Sequence, residues 1–280
     1  MTTINDRTPM DMKDIQKVSL NILKFVTSIC HREGLRYSLM YGTLIGAIRH
    51  KGYIPWDDDV DIMMPRPDYD RFLKYCYCHK DELGTYELCN MSTHQEYVYG
   101  ISRVCDSRYV LYSESTNNNN MGIFIDIYPY DGLGNNIEKA IKTMSKARKY
   151  CDIIVDISNK NWTIPKTLNY KGKIVYIWNM ITNRLLGVKY FHKKISKLRV
   201  DFTYDTSEYV GPLMWYFTKP YKVVFKRSYF DNLILAPFED SHFFIPSEYD
   251  ALLTQEYGDY MTLPPIEQRI YHHHYTAYKK

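Results

Sequence analysis

Residues 41–69 read YGTLIGAIRHKGYIPWDDDVDIMMPRPDY, and in fewer than thirty positions they join a small-residue turn, a basic cluster and a group of carboxylates. Val60 and Ile62 alternate with Asp59 and Asp61. That is the two-residue period of a strand, with the apolar pair on one face and the acidic pair on the other. A solvated acidic loop has no need of those apolar flanks. Upstream, Gly42 and Thr43 break a short strand at 36–40 and open a helix over 43–48. A glycine there lets backbone N–H groups approach a phosphate, and a helix N-terminus favours an anion. Arg49, His50 and Lys51 follow in a loop closed by Pro55, placed to neutralise charge on a leaving group. The stretch reads as a cradle for the phosphates of an activated donor over divalent ions.

Working outward, residues 11–33 carry Ile15, Val18, Ile22, Phe25, Val26 and Ile29 at steps of three and four, the mark of an amphipathic helix. Gly34 sits where a helix end wants a left-handed residue. Downstream, Asp68 is expected to cap a helix reaching about residue 79, followed by β-like pieces at 86–91, 97–104 and 109–113 and a polar loop at 117–120. The strand at 122–130 puts Phe124, Asp126 and Tyr128 on one face and Ile123, Ile125 and Ile127 on the other, repeating the logic of Asp59 and Asp61. Asp131, Gly132 and Gly134 mark a turn and the end of a core unit. The closing third carries hairpin-like pieces at 221–225 and 233–238, then a helix that Ser247 caps and Gly258 ends.

The expected architecture is α+β, a mixed sheet flanked by helices in one domain. Its core spans 11–135, a helical basic insert 136–205, and the C-terminal part 206–280. Within the insert, residues 174–186 (IVYIWNMITNRLL) are apolar on nearly all sides and flanked by Lys171, Lys173, Lys189, Lys193 and Lys194. The plainer reading is a buried helix of a helical subdomain. The sharper one is an interfacial helix resting on an anionic leaflet, a peripheral membrane contact through 171–199.

Composition bounds the rest. With 280 residues, 45% hydrophobic and 24% charged, the chain has material for a core and no signature of disorder. A net charge of +4 and a pI near 8.5 are too mild for a dedicated nucleic-acid binder. Positive charge gathers at 139–199, which favours a nucleotide, a phosphosugar or a lipid surface as partner. The 28 tyrosines suit polar ligand surfaces, a membrane boundary, or an aromatic cage for a quaternary ammonium with Trp56, but the base composition of the gene explains them equally well. Six cysteines without framework spacing read as free thiols in a reducing compartment. With no basic-then-apolar leader and no run of 18 apolar residues, the expectation is a cytoplasmic protein, peripheral at the inner face of the membrane. Zinc at Cys76, Cys78, His79 and Cys89 is disfavoured, because helical residues two apart point about 200° apart.

Asp59, Asp61 and Asp126 are the expected convergent set. Three such charges cannot all ionise side by side unless a cation sits among them. Hard divalent ions suit oxygen ligands, so Mg²⁺ comes first and Mn²⁺ second, with substrate phosphates as further ligands.

A strand, a Gly-Thr turn and an Asp-x-Asp strand, here with 17 positions between Gly42 and Asp59, resemble the nucleotidyltransferase fold. The segment GTLIGAIRHKGYIPWDDDVDIMMPR more specifically resembles the signature of the LicD family, whose namesakes are phosphocholine transferases and whose animal relatives are the fukutins. GIFIDIYPYDGL at 122–133 and IPSEYDALLTQEYGDYMTLPP with Arg269 and His272 extend the match. The resemblance implies transfer of a phosphorylated group from a CDP-linked donor to a hydroxyl of a glycan or its lipid-linked precursor, with CMP leaving. It makes Asp59 and Asp61 the metal pair, Asp126 the third carboxylate and candidate base, and Gly42 and Thr43 the phosphate turn. Arg49, His50, Lys51, Asp58, Arg269 and His272 are then substrate-binding positions; Asp57 and Asp58 belong to the signature without an assignable role. A nucleotidyltransferase releasing pyrophosphate, or a non-catalytic glycan- or membrane-binding protein, are the alternatives.

Overall fold

Asp11 starts the first helix by accepting the Asp14 N–H at 2.8 Å. Helix α1 then runs over Met12–Glu33 until Gly34, at φ 60°, turns the chain out, a conformation that costs glycine nothing. The structure is a computed structural model and describes residues 7–94, 96–112, 121–159, 163–165, 167–199, 202–216, 218–270 and 275–280. Ile22, Leu23, Val26 and Cys30 of α1 are wholly buried in the main core cluster.

After α1 come strand β1 (Ser38–Leu39), helix α2 (Tyr41–Ile45), strand β2 (Asp61–Pro65), helix α3 (Arg66–Cys78), and strands β3 (Tyr86–Cys89), β4 (Ser102–Asp106), β5 (Tyr109–Tyr112) and β6 (Ile123–Gly132). Helices α4 (Ile137–Ser158), α5 (Tyr170–Leu186) and α6 (Val188–Leu198) follow. The chain closes with β7 (Tyr209–Gly211), β8 (Phe225–Lys226), β9 (Leu233–Phe238), β10 (Ser241–Pro246), helix α7 (Tyr249–Tyr257) and β11 (Thr276–Lys279). The main sheet has the order β1–β2–β6–β4–β3, with β7 paired to β6 and β8 to β7. Strands β2 and β6 are parallel and the other pairings are antiparallel, so the sheet is mixed and the class α+β. β9 with β10, and β5 with β11, form two smaller ribbons.

Several local expectations shift. The strand at 36–40 shrinks to two residues, because α2 begins at Tyr41 and continues as a π-helical turn over Gly46–His50. Helix α3 begins at Arg66, so Asp68 lies inside its first turn, buried against Arg36 Nε at 2.7 Å, and caps nothing. Of the 97–104 piece only 102–104 is strand, and that strand, Ser102–Asp106, runs on beyond it. Pro220–Lys222 forms a 3₁₀ turn instead of hairpin. Glu248, without a capping hydrogen bond, stands at the start of α7 where Ser247 was expected.

The chain does not turn at Asp131. There β6 continues, because Arg66 donates to both Asp131 oxygens at 2.7 and 2.9 Å and Asp131 pairs with Gly211. The sheet is therefore completed by residues from the closing third of the chain. Gly132 is needed for closeness: a Cβ there would stand 2.2 Å from the Thr203 carbonyl oxygen and 2.5 Å from Ser207 Oγ.

The insert packs through one face. Met144, Ala147 and Ile154 of α4 are buried, as are Phe191 and Ile195 of α6. Of α5, only Met180 is buried. The buried-helix reading of 174–186 therefore fails. Among the described residues, no helix is long and apolar enough to cross a membrane.

Gly132→Ala drives a methyl into backbone that cannot retreat without opening the β6–β7 junction. A loss of about 2 kcal/mol or more is expected in denaturant unfolding.

Candidate active site

The parallel register sets Asp61 of β2 directly beside Asp126 of β6. Both are buried. Loss of hydration pushes the Asp61 carboxyl well above its ordinary range, and the charges of Asp59, Asp126 and Asp57 push it further, against a smaller pull from Arg103. Asp126 is held by Arg103, the residue opposite it on β4: Nε donates to Oδ1 at 2.6 Å and an Nη to Oδ2 at 3.4 Å. The guanidinium lies 3.8 Å from the Phe124 ring centroid and within 5.7 Å of the Tyr97 and Tyr99 rings. Sequence reasoning missed Arg103. Its one signal was a lone cation in the apolar run 97–105, which gains meaning only once β4 is known to pair with β6.

Local structure holds the acidic pair in place. Thr43 Oγ1 accepts the Asp61 N–H at 2.8 Å, Met40 N–H donates to the Asp61 carbonyl at 3.0 Å, and Asp126 N–H donates to Val60 O at 2.8 Å. Thr43 thus braces the mouth of β2. Gly42 lies in the first turn of α2, and a Cβ on it would come within 2.7 Å of Asp57 Oδ2. The glycine leaves room for a carboxylate over the helix start, the polarity that the first turn favours. Asp59 precedes β2, half-buried. Asp58 is buried and accepts from the Tyr275 hydroxyl.

A cleft of about 780 Å³ opens alongside, lined by Arg49, Trp56, Tyr257, Tyr260, Pro264 and Glu267 among others. Arg49 donates to the Tyr260 carbonyl at 2.6 Å and to His50 Nε2 at 3.0 Å. Arg269 stacks 5.4 Å above Trp56. Burial, and then Arg269, hold the Arg49 guanidinium below its ordinary range; burial, and then Arg49, hold His50 down. Lys51 is exposed, and its carbonyl accepts the Glu239 N–H at 2.8 Å. His272 lies outside the described residues.

Tyr257 joins cleft and carboxylates. The residue keeps 43% of its surface exposed, yet its hydroxyl end is pushed up by lost hydration, then by Glu256 and Asp61. Glu256 beside it is buried, and its Oε2 has no hydrogen-bond partner. Neither residue was given a role of its own from sequence, although the stretch that carries them belongs to the third matching block.

The donor set suits a hard divalent ion. Asp59 and Asp61 repel each other with no guanidinium on Asp61, while Asp126 is already met by Arg103. Among the described residues, the set of His, Cys, Asp and Glu with ligand atoms all within 4.8 Å of one another is Glu87, Cys89 and His94, so the three aspartates are not gathered to one point. Cys76 is buried and Cys78 exposed, on different faces of α3.

A model of the family described as "LicD/FKTN/FKRP, nucleotidyltransferase domain" matches residues 34–156. The chain is also 32% identical over 273 residues to the lipopolysaccharide cholinephosphotransferase LicD of Haemophilus influenzae, covering 96% of this chain and 98% of that protein. The chain belongs to the LicD family. Shorter similarities run to uncharacterized proteins of Rickettsia typhi, 37% over 51 residues (18% of this chain, 16% of that one), and Rickettsia prowazekii, 38% over 47 residues (17% and 18%). This LicD-family chain is an enzyme, a transferase of phosphorus-containing groups.

Two stability measurements probe the LicD-type site. Arg103→Met strips the buried Asp126 of its cation and is expected to cost about 3–5 kcal/mol in denaturant unfolding, most of it recovered by adding Asp126→Asn. Burial lifts Glu256 from 4.5 to about 8, against a smaller pull from Lys222. The folded protein therefore keeps this proton where the unfolded chain releases it. The contribution of Glu256 to stability is full below pH about 4.5, falls as pH rises to about 8 and levels off above. Glu256→Gln is expected to flatten that fall, so its melting temperature gains on the parent's at pH 8 more than at pH 5, read by thermal scans.

Proposed function

We propose that this protein moves phosphocholine from a CDP-linked donor to a hydroxyl of lipopolysaccharide or its lipid-linked precursor, and that CMP is released. Carrying the reading is the crowding of Asp57, Asp59 and Asp126 about Asp61, beside a cleft walled by Arg49 and Trp56, in a chain that aligns end to end with a cholinephosphotransferase. The nucleotidyltransferase arrangement of strand, turn and acidic strand belongs to the same proposal.

The diphosphate would lie between the acidic pair and the cleft. Asp59 and Asp61 would hold a Mg²⁺ or Mn²⁺ ion, which when bound supplies charge neutralisation for the phosphates. Arg49 and Arg269 meet the leaving phosphate from the cleft side, where partial burial strengthens their field. Trp56, Tyr257 and Tyr260 offer ring faces for a trimethylammonium group. The acceptor oxygen forms its bond to the β-phosphorus as the bridging P–O bond breaks; the electron pair of that bond leaves on CMP, and the acceptor's hydroxyl proton passes to water. Both oxygens of Asp126 are taken up by Arg103, so its task is to position Arg103 and the sheet. Phosphoryl transfer through a loose transition state rests on such positioning and charge neutralisation more than on base strength.

The test incubates purified protein and Mg²⁺ with CDP-choline and a lipid-linked glycan extract, identifying products by mass. CMP and a phosphocholine-bearing glycan are expected. Asp61→Asn should slow transfer about 10³-fold or more while raising the melting temperature of the metal-free protein, since like-charge crowding is relieved. Pyrophosphate released from a nucleoside triphosphate would instead mean nucleotidyl transfer, and CDP released would mean another bond is cut.

A further inference from the structure

Helix α5 turns its apolar side outward. Tyr170, Ile174, Trp178, Ile181 and Leu185 are spaced by four, four, three and four residues, which gathers them into an arc of about 80° on a helix of 3.6 residues per turn. Tyr170, Trp178 and Leu185 keep 79%, 67% and 82% of their surface exposed, and Val175 and Leu186 widen the stripe. The opposite side, through Met180, is the one that meets α4 and α6. Isolated exposed apolar residues need no explanation, but a continuous stripe along a whole helix marks a contact surface.

Charge identifies what covers it. Between Asp156 and Asp201 the chain carries ten Lys and Arg and no Asp or Glu. Lys171, Lys173, Arg184, Lys189, Lys193 and Lys197 are exposed around the stripe. A second copy of this chain is a poor occupant, because a two-fold contact would set one all-positive surface against its twin. An acyl boundary beneath phosphate headgroups satisfies both halves of the surface. Aromatic rings and aliphatic side chains enter the interface while lysines reach the phosphates.

We propose that α5 and α6 form a docking surface for an anionic lipid bilayer, on which the protein lies without spanning it. Juxtamembrane basic clusters of this size add attraction that falls with salt, and the apolar stripe adds attraction that does not. The surface is separate from the carboxylate site, so it stands or falls independently of the reaction assigned there.

Flotation of the full-length protein with vesicles tests it, using phosphatidylcholine alone and phosphatidylcholine with one third phosphatidylglycerol. Binding to the anionic vesicles is expected to exceed binding to the neutral ones about tenfold or more, with a blue shift of tryptophan emission. Trp178→Ser with Leu185→Ser should lower the bound fraction about tenfold, and Lys171→Glu with Lys173→Glu should remove the preference for anionic vesicles. Both variants change exposed side chains, so far-ultraviolet dichroism and transfer to a soluble acceptor glycan should be unchanged. Equal partition into both vesicle types, binding untouched by the Trp178 and Leu185 substitutions, or a dimer in size-exclusion chromatography that those substitutions dissociate would each overturn the proposal.

Discussion

Two aspartates stand in register on the adjacent parallel strands β2 and β6, and Arg103 answers one of the two charges, that of Asp126. The guanidinium reaches Asp126 from the facing position on β4, so β4 and β6 are tied at the level where β2 carries Asp61. Side-chain exposures of 8% for Arg103 and 11% for Asp126 take both ions out of water. Such a pair is a weak source of net stability, because desolvation offsets most of its attraction. Its effect is to place charge. Asp126 is answered within the protein, and the uncompensated repulsion is concentrated on Asp61, at the face where a cation and a phosphorylated donor are proposed to bind.

The same chemistry recurs along the margin of the site. Arg66, at the start of α3, clasps Asp131 at the far end of β6 through two short hydrogen bonds. Arg36 joins the exit from α1 to Asp68 in the first turn of α3. Of the two, the Arg66 pair is the more deeply buried, and its loss is the more costly, since Arg36 is half in solvent and screened there. Each clamp fixes one end of a segment that carries functional carboxylates. The site's precision therefore rests on arginines to which the motif assigned no role: Arg66 closes the signature segment, and Arg36 and Arg103 lie outside it.

What the sequence disclosed was local. Apolar spacing and Gly34 foretold α1 almost to the residue, and alternation foretold β6 at 123–128 but β2 only from Asp61 on, since Asp59 and Val60 precede the strand. Pairing was not legible. Arg103 and Asp126 are 23 residues apart, and no local rule says that their strands are neighbours. For the same reason Asp131 and Gly132, which look like a turn in isolation, are strand once Arg66 and Gly211 arrive from elsewhere. Helix α5 shows a different limit. Apolar residues around most of a helix look alike whether protein or lipid covers them, so periodicity could not choose, and only the packing of α4 and α6 against the Met180 side did.

That packing also joins the insert to the site. His192 of α6 donates from Nε2 to the Val98 carbonyl at 2.8 Å, and Cys151 of α4 meets the Met214 carbonyl at 3.3 Å. Trp215 in turn packs edge-on against Tyr99 at 4.9 Å, and Tyr99 is one of the rings over Arg103. A chain of packed contacts therefore runs from α4 and α6 to the cation that organises the carboxylates. Helices braced in this way are poor candidates for a free-swinging arm. Whatever holds the outer face of α5 fixes the tilt of the whole sheet with it. An enzyme oriented at a surface meets a lipid-borne acceptor from one direction at raised local concentration, which does for encounter what the arginine clamps do for chemistry.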